Sequence, residues 1–342
     1  MKGTKIFVII LIILILIAGG LFALKIFNND ETKQANTNST EEVKEEPTVQ
    51  TPKTLSGDSR PIAVMIDNNI DAMPQAGLLE ADIIYEIIVE GGESRLMLIL
   101  QDKDLYKIGP IRSARHYFLD YALENDAIYV HYGWSPQAQS DISSLGVDNI
   151  NGIYESSSAF WRVDDKYAPH NAVTSTKDIL EIADRKGYRV DKEKDNVLNY
   201  VVAEVELENG DVAEDITIPY SDYNTVEYIY DEELKEYVRY SRGEKQVDWN
   251  TGKTITTKNI IIEKAENWTL NDGSGKGRQT LDNIKELEGY YITNGKVIEI
   301  TCDKESRSGQ TVYRDLDGNE INVNDGKTFI QICPIDSNIS FE

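Results

Sequence analysis

Four arginines follow turn-forming or aromatic residues: Arg95 after EGGES, Arg112 and Arg115 after IGP, and Arg162 in FWR. A guanidinium group presents a planar fork of donors that grips carboxylate or phosphate through two parallel hydrogen bonds, which a lysine ammonium cannot do. The pattern points to an anion pocket, with Trp161 and Asn171 beside these arginines as further ligand contacts. A second reading pairs the same arginines internally with Asp67, Glu90 or Asp120. Both readings require negative oxygen atoms nearby and differ in whose they are.

Two residues have the chemistry to move protons. Glu90, followed by Gly91 and Gly92, ends an apolar run where the backbone can turn sharply. A partly desolvated carboxyl group there would have a raised pKa and act as general acid or base, unless it forms a salt bridge to Arg95 or Arg115. His170 in APHN offers the imidazole that titrates near neutrality, with a satisfied structural histidine as the alternative, and His131 in VHYGW is the next candidate. Ser113 lies close to the arginines but in no GxSxG elbow.

No metal or cofactor is expected. Three histidines and two widely spaced cysteines give no zinc spacing, GSGKGR lacks the Ser or Thr that a P-loop needs after its Lys, and DLDGNE has its Gly misplaced for a calcium loop. Cys302 and Cys333 either form one bridge or, the favoured reading, lie as buried thiols in separate strands. The formal net charge of −24 argues against nucleic acid as a partner, because that binding relies on Lys and Arg neutralising phosphates. Any anionic ligand must be met locally.

The elements that position these residues change in kind along the chain. PIAVMI, DIIYEIIVE, RLMLILQD and AIYVHY read as buried strands. Ile111, Ala114, Phe118 and Tyr121 recur at helical spacing, so a helix is expected from Gly109, with Arg112 and Arg115 in its first turn, where the helix dipole disfavours cations. Two more helices are expected: one after Ser135 with Pro136 in its first turn, and one capped by Ser175 and stopped by Gly187. Beyond residue 195 β-branched and aromatic runs such as TVEYIYD, EYVRYS, KNIIIEK, KVIEITC and KTFIQIC alternate with Asn-Gly and Asp-Gly turns. The expected class is α+β: a mixed α/β domain over 59–195 and a mostly antiparallel β domain over 196–342.

The start of the chain sets the compartment. Residues 6–24 carry no charged or strongly polar side chain and at about 1.5 Å per residue nearly span the roughly 30 Å bilayer core. With Lys2 and Lys5 before this run, 1–27 reads as a single-pass transmembrane anchor at the cell membrane, its N-terminus cytoplasmic and the rest of the chain extracytoplasmic. A cleaved signal peptide is the alternative. Residues 28–58, rich in Asn, Thr, Glu and Lys, read as a disordered acidic stalk.

Motifs in both halves resemble the YerB-like lipoprotein family of bacteria, a two-part architecture of unknown function. They are PIAVMIDN, MPQAGLLEADIIYEIIVEGGESR, IGPIRSARHYFLDYA, FWR and APHNAVTS, then YVRYSRGEKQVDWNTGKTITTKNIII, GSGKG and TVYRDLDGNEINVNDGKTFIQICP. The resemblance runs from Arg60 to Pro334 and implies placement in the cell envelope but no reaction. It also implies a lipid-modified cysteine near the start, which this chain lacks, and tryptophans at positions 302 and 329, where this chain has Cys302 and Phe329. If those aromatics line a ligand face, that face is altered here. Two functions fit: an enzyme, a hydrolase or lyase cleaving a cell-envelope polymer, peptidoglycan, with Glu90 and His170 moving protons and Trp134 or Trp161 under the sugar, or a non-catalytic module holding an anionic envelope fragment or a partner protein.

Overall fold

Three strands from the first half and one from the end of the chain make the centre of the molecule. β1 (Ile62–Asp67), β2 (Ile83–Ile88) and β3 (Ser94–Leu100) are buried along their whole length, the signature of strands covered on both faces. The structure, a computed structural model, describes residues 50–342, which form one compact unit. β4 (Ile128–His131) and β5 (Asn149–Asn151) extend the sheet past β1 in parallel register. From the second half come β11 (Asn259–Thr269), β12 (Glu286–Thr293), β13 (Lys296–Asp303), β14 (Val312–Asp315) and β15 (Thr328–Pro334). The order is β14-β13-β12-β11-β15-β2-β3-β1-β4-β5.

Alternation with period two sends each strand's side chains into two cores. On β1, Ala63 and Met65 join a cluster with Phe118, Leu119 and Tyr121, while Ile62, Val64 and Ile66 join one with Ile216, Val226 and Tyr228. The first core lies under α1 (Phe118–Glu124); the second lies under a smaller sheet of β8 (Asp215–Ser221), β9 (Asn224–Asp231) and β10 (Glu236–Ser241). The two parts expected over 59–195 and 196–342 share this sheet: β15 of the second half pairs in parallel with β2 of the first, from Ile83↔Thr328 to Ile87↔Ile332. The physical reason is in β15, whose TFIQICP is buried throughout and needs a neighbour on each side.

Charge is also buried between the layers. Arg239 on β10 and Glu86 on β2, both wholly buried, meet at 2.7 Å; Arg239 also donates to Gln246 and Tyr228, while Asn68 and Ser94 donate to the other oxygen of Glu86. On the opposite face Glu263 of β11 accepts from Tyr121 Oη (2.9 Å) and Tyr313 Oη (2.8 Å), while nearby Glu124 is paired to Lys304. Burial, followed by the charge of Glu124, pushes the Glu263 carboxyl up to about 7.

Helix content is low: three α-helices among the described residues, α1, α2 (Pro136–Ser144) and α3 (Thr176–Lys186). Ser135 Oγ caps Ala138 N, Ser175 Oγ caps Asp178 N, and Gly187 ends α3 at φ +70°, as the sequence signals require. The helix expected from Gly109 starts only at Phe118. Gly109 adopts φ +141°, and the following N–H groups go to tertiary acceptors: Ile111 N to Ala172 O, Arg112 N to Met65 O and Ala114 N to Gly133 O. Ile111, Ala114, Phe118 and Tyr121 are all buried, but only the last two on a helix. Arg112 and Arg115 therefore oppose no helix dipole.

The expected membrane span and residues 28–49 of the expected stalk lie outside the described residues, among which no helix is long and apolar enough to cross a membrane. The end of that stalk is part of the body: Thr54 N and Oγ1 bind Asp325 Oδ1, and Leu55 is buried. Cys302 and Cys333 are free, buried thiols in β13 and β15. Cys302 lies in the first core and Phe329 in the second, packed on Tyr228 and Arg239, so neither lines a ligand face.

Candidate functional site

The C-terminal end of β1 and the N-terminal end of β3 place Asp67 directly opposite Arg95. The chain leaves β2 through a tight turn, Glu90–Gly92, in which Gly91 and Gly92 take φ +71° and +73°, and this turn swings Glu90 over the same strand ends. The extended segment after Gly109 lies antiparallel to β1 through Ile66↔Ile111 and brings Arg112 and Arg115 to the same place.

Three guanidinium groups meet two carboxylates there. Arg115 forks onto Glu90, Nε to Oε1 at 2.7 Å and Nη2 to Oε2 at 2.9 Å. Arg95 Nη2 lies 3.7 Å from Glu90 Oε2, and its Nη1 donates to Ser113 O at 2.6 Å. Arg112 Nε approaches Asp67 Oδ2 at 3.0 Å, and His170 Nδ1 lies 2.8 Å from the same oxygen. Cations outnumber carboxylates in this cluster even with His170 neutral. The excess falls hardest on Arg95, whose pKa is pushed down to about 10 by burial and then by the charges of Arg115 and Arg112, against the pull of Glu90 and Asp67. Its side chain is 10% exposed, whereas that of Arg112 is 24% exposed and that of Glu90 18%.

The expected raised pKa of Glu90 is reversed. Burial pushes it up, but the Arg115 hydrogen bonds and the charges of Arg115 and Arg95 outweigh burial and hold the carboxyl below its ordinary value. Glu90 is thus an ionised partner of arginine and has no proton to give at neutral pH.

His170 reaches the cluster through Asp67. Trp161, Arg162 and Asn171 sit on a separate two-stranded ribbon of β6 (Trp161–Arg162) and β7 (Ala172–Val173). Arg162 Nη1 donates to Asn171 Oδ1 at 2.5 Å and lies over the Tyr132 ring, while Asn171 Nδ2 ties down Val163 O and Lys166 O. Those contacts hold the loop that carries His170; none joins the ribbon residues to the arginine cluster among the described residues. His131 is a core residue, with Nδ1 2.8 Å from Gly133 O and Nε2 3.1 Å from Asn149 Oδ1, and burial pushes its pKa down to about 4 despite those bonds. Ser113 Oγ donates to Tyr132 O.

Sequence reasoning missed Glu93 and Arg242, which continue the charged row. Arg242 Nη2 binds Glu93 Oε2 at 2.5 Å and Asn68 O at 3.0 Å. Only the SRG turn signalled it: Arg242 and Gly243 both take positive φ. Trp249, in DWN, was missed as well; Lys107 and Lys166 stand over its ring at 3.8 and 4.4 Å. Among the described residues no group of three or more His, Cys, Asp or Glu could hold a metal.

Family models match both halves: "Protein of unknown function (DUF3048) N-terminal domain" over 48–189 and the corresponding C-terminal domain over 216–330. The chain is 35% identical over 278 residues to "Putative lipoprotein YerB" of Bacillus subtilis (strain 168), covering 80% of this chain and 81% of that protein. It belongs to the DUF3048 family. The crystal structure of the YerB protein from Bacillus subtilis shares the DUF3048 fold, with TM-score 0.75 and 33% identity over 85% of this chain and 97% of that one. Every residue of this DUF3048 chain's arginine cluster falls within the N-terminal family match.

Proposed function

We propose that this DUF3048 protein is a membrane-anchored, extracytoplasmic envelope protein whose arginine cluster recognises a carboxylate or phosphate of an envelope fragment. The observation that carries the reading is the cation excess: three guanidinium groups share two carboxylates, with Arg95 no nearer than 3.7 Å to its acid while Arg112 is the more exposed of the two. An incoming anion would supply the missing charge. The lipoprotein name of its relative and the apolar run at 6–24 support the compartment.

Isothermal titration calorimetry of the full chain with muramyl dipeptide and with glycerol 3-phosphate tests the reading. Saturable binding of at least one probe is expected, weakened at least about tenfold by Arg112→Ala, the equivalent of about 1.4 kcal/mol. Heat from neither probe, or unchanged affinity in Arg112→Ala, overturns it.

A catalytic reading, a hydrolase or lyase acting on peptidoglycan, has one supporting observation: Asp67 holds His170 by Nδ1, as an orienting acid holds a general base. Release of soluble fragments from peptidoglycan, lost in His170→Asn with ligand affinity retained, would establish it.

A further inference from the structure

Beyond the arginine cluster, a cleft of about 580 Å³ opens between α2, β5 and the end of α3. Its size is that of a small-molecule site. Trp134 and Tyr154 form two of its walls, with ring centroids 5.8 Å apart and planes at 53°. Tyr154 is 71% exposed. Trp134 rests on the locked ring of His131, 5.5 Å away, and its backbone is fixed by Ala114 N to Gly133 O and Ser135 N to Ala114 O.

The polar lining is preorganised. Asn151 is 5% exposed, and its Oδ1 accepts from Gly133 N (2.9 Å) and Ile153 N (3.2 Å). That fixes the carboxamide and leaves its Nδ2, which has two protons to donate, without a partner among the described residues. Glu155, the one acid of the lining, is already paired with Arg185 and Lys186, so the cleft offers no free charge to select an ion. Buried Ile142 and Val147 add a small apolar floor beside the indole.

We infer that this cleft binds a neutral N-acetylated hexosamine unit of a glycan. Aromatic faces at an open angle suit the apolar C–H face of a pyranose ring, an amide donor fixed from behind suits its oxygen atoms, and the aliphatic floor suits an acetamido methyl group. An anionic group would find no unpaired cation here, and a purely apolar ligand would leave the Asn151 donor unsatisfied. The inference stands on the cleft alone and does not rest on the anion-binding reading.

The test is titration of the full chain with chitotetraose, the β-linked tetramer of N-acetylglucosamine, followed by calorimetry and tryptophan fluorescence, with maltotetraose as the sugar lacking acetamido groups. Saturable chitotetraose binding below about 1 mM is expected. Tyr154→Ala, which alters an exposed side chain and should leave the fold intact, and Asn151→Asp, which keeps the acceptor but loses the donor, should each weaken it about tenfold. Arg112→Ala should leave it unchanged, which separates this site from the arginine cluster. No saturable binding up to about 5 mM, equal binding of maltotetraose, or parental affinity in Tyr154→Ala overturns the inference.

Discussion

Glu90 takes two hydrogen bonds from Arg115 and the charge of Arg95, so its carboxylate keeps two buried cations apart. Glu90→Gln is expected to cost on the order of 2–4 kcal/mol, read as a fall in the urea midpoint, because it leaves guanidinium groups uncompensated. The penalty should be largest at neutral pH. Glu90 has its folded pKa below its unfolded value, so its contribution is complete above the unfolded pKa near 4.5 and fades as pH drops through the lower folded value. An equal penalty at pH 3 and pH 7 would remove the ion-pair account. That the arginines need nearby negative oxygen atoms was legible from residue types, with Asp67, Glu90 and Asp120 as the candidate acids, but Asp120 pairs with Arg307 instead. Which arginine takes which acid was not, because the pairing depends on the turn at Glu90–Gly92 and on the cross-strand register of Asp67 with Arg95.

At the scale of elements, the sequence signals that succeeded are those enforced locally. Caps at Ser135 and Ser175 and the Asn294-Gly295 turn joining β12 to β13, both residues at positive φ, are satisfied within a few residues. The helix expected at Gly109 failed because its N–H groups find acceptors on β1 and β7, which no local pattern reveals. A helical period of apolar residues records burial, and here an extended segment followed by one short helix satisfies it. Gly109 makes the extended path possible: at φ +141° an added Cβ would stand 2.9 Å from Ala172 O. Gly109→Ala should therefore destabilise the protein by about 1–3 kcal/mol and weaken anion binding along with it, since the same segment carries Arg112. A thermal midpoint within about 1 °C of the parent would contradict this.

The whole molecule is tied together by groups that the two halves contribute jointly, and one sheet takes strands from both. Composition records which element types dominate each stretch, not which strands become neighbours. Glu263 and Tyr121 show the consequence for pH. With its folded pKa near 7 and an unfolded value near 4.5, Glu263 binds a proton more readily in the folded state, so stability declines as pH rises from 4.5 to 7. The full cost is on the order of 3 kcal/mol. Glu263→Gln should therefore gain on the parent across that interval and level off above it; a stability difference independent of pH would refute the assignment. One further consequence lies in β15, which sits between β2 and β11. In chain order β15 follows every other strand of this sheet, so during synthesis β2 must wait with an open edge until residues 328–334 have emerged, and a chain truncated before residue 328 leaves that edge unpaired by its native neighbour.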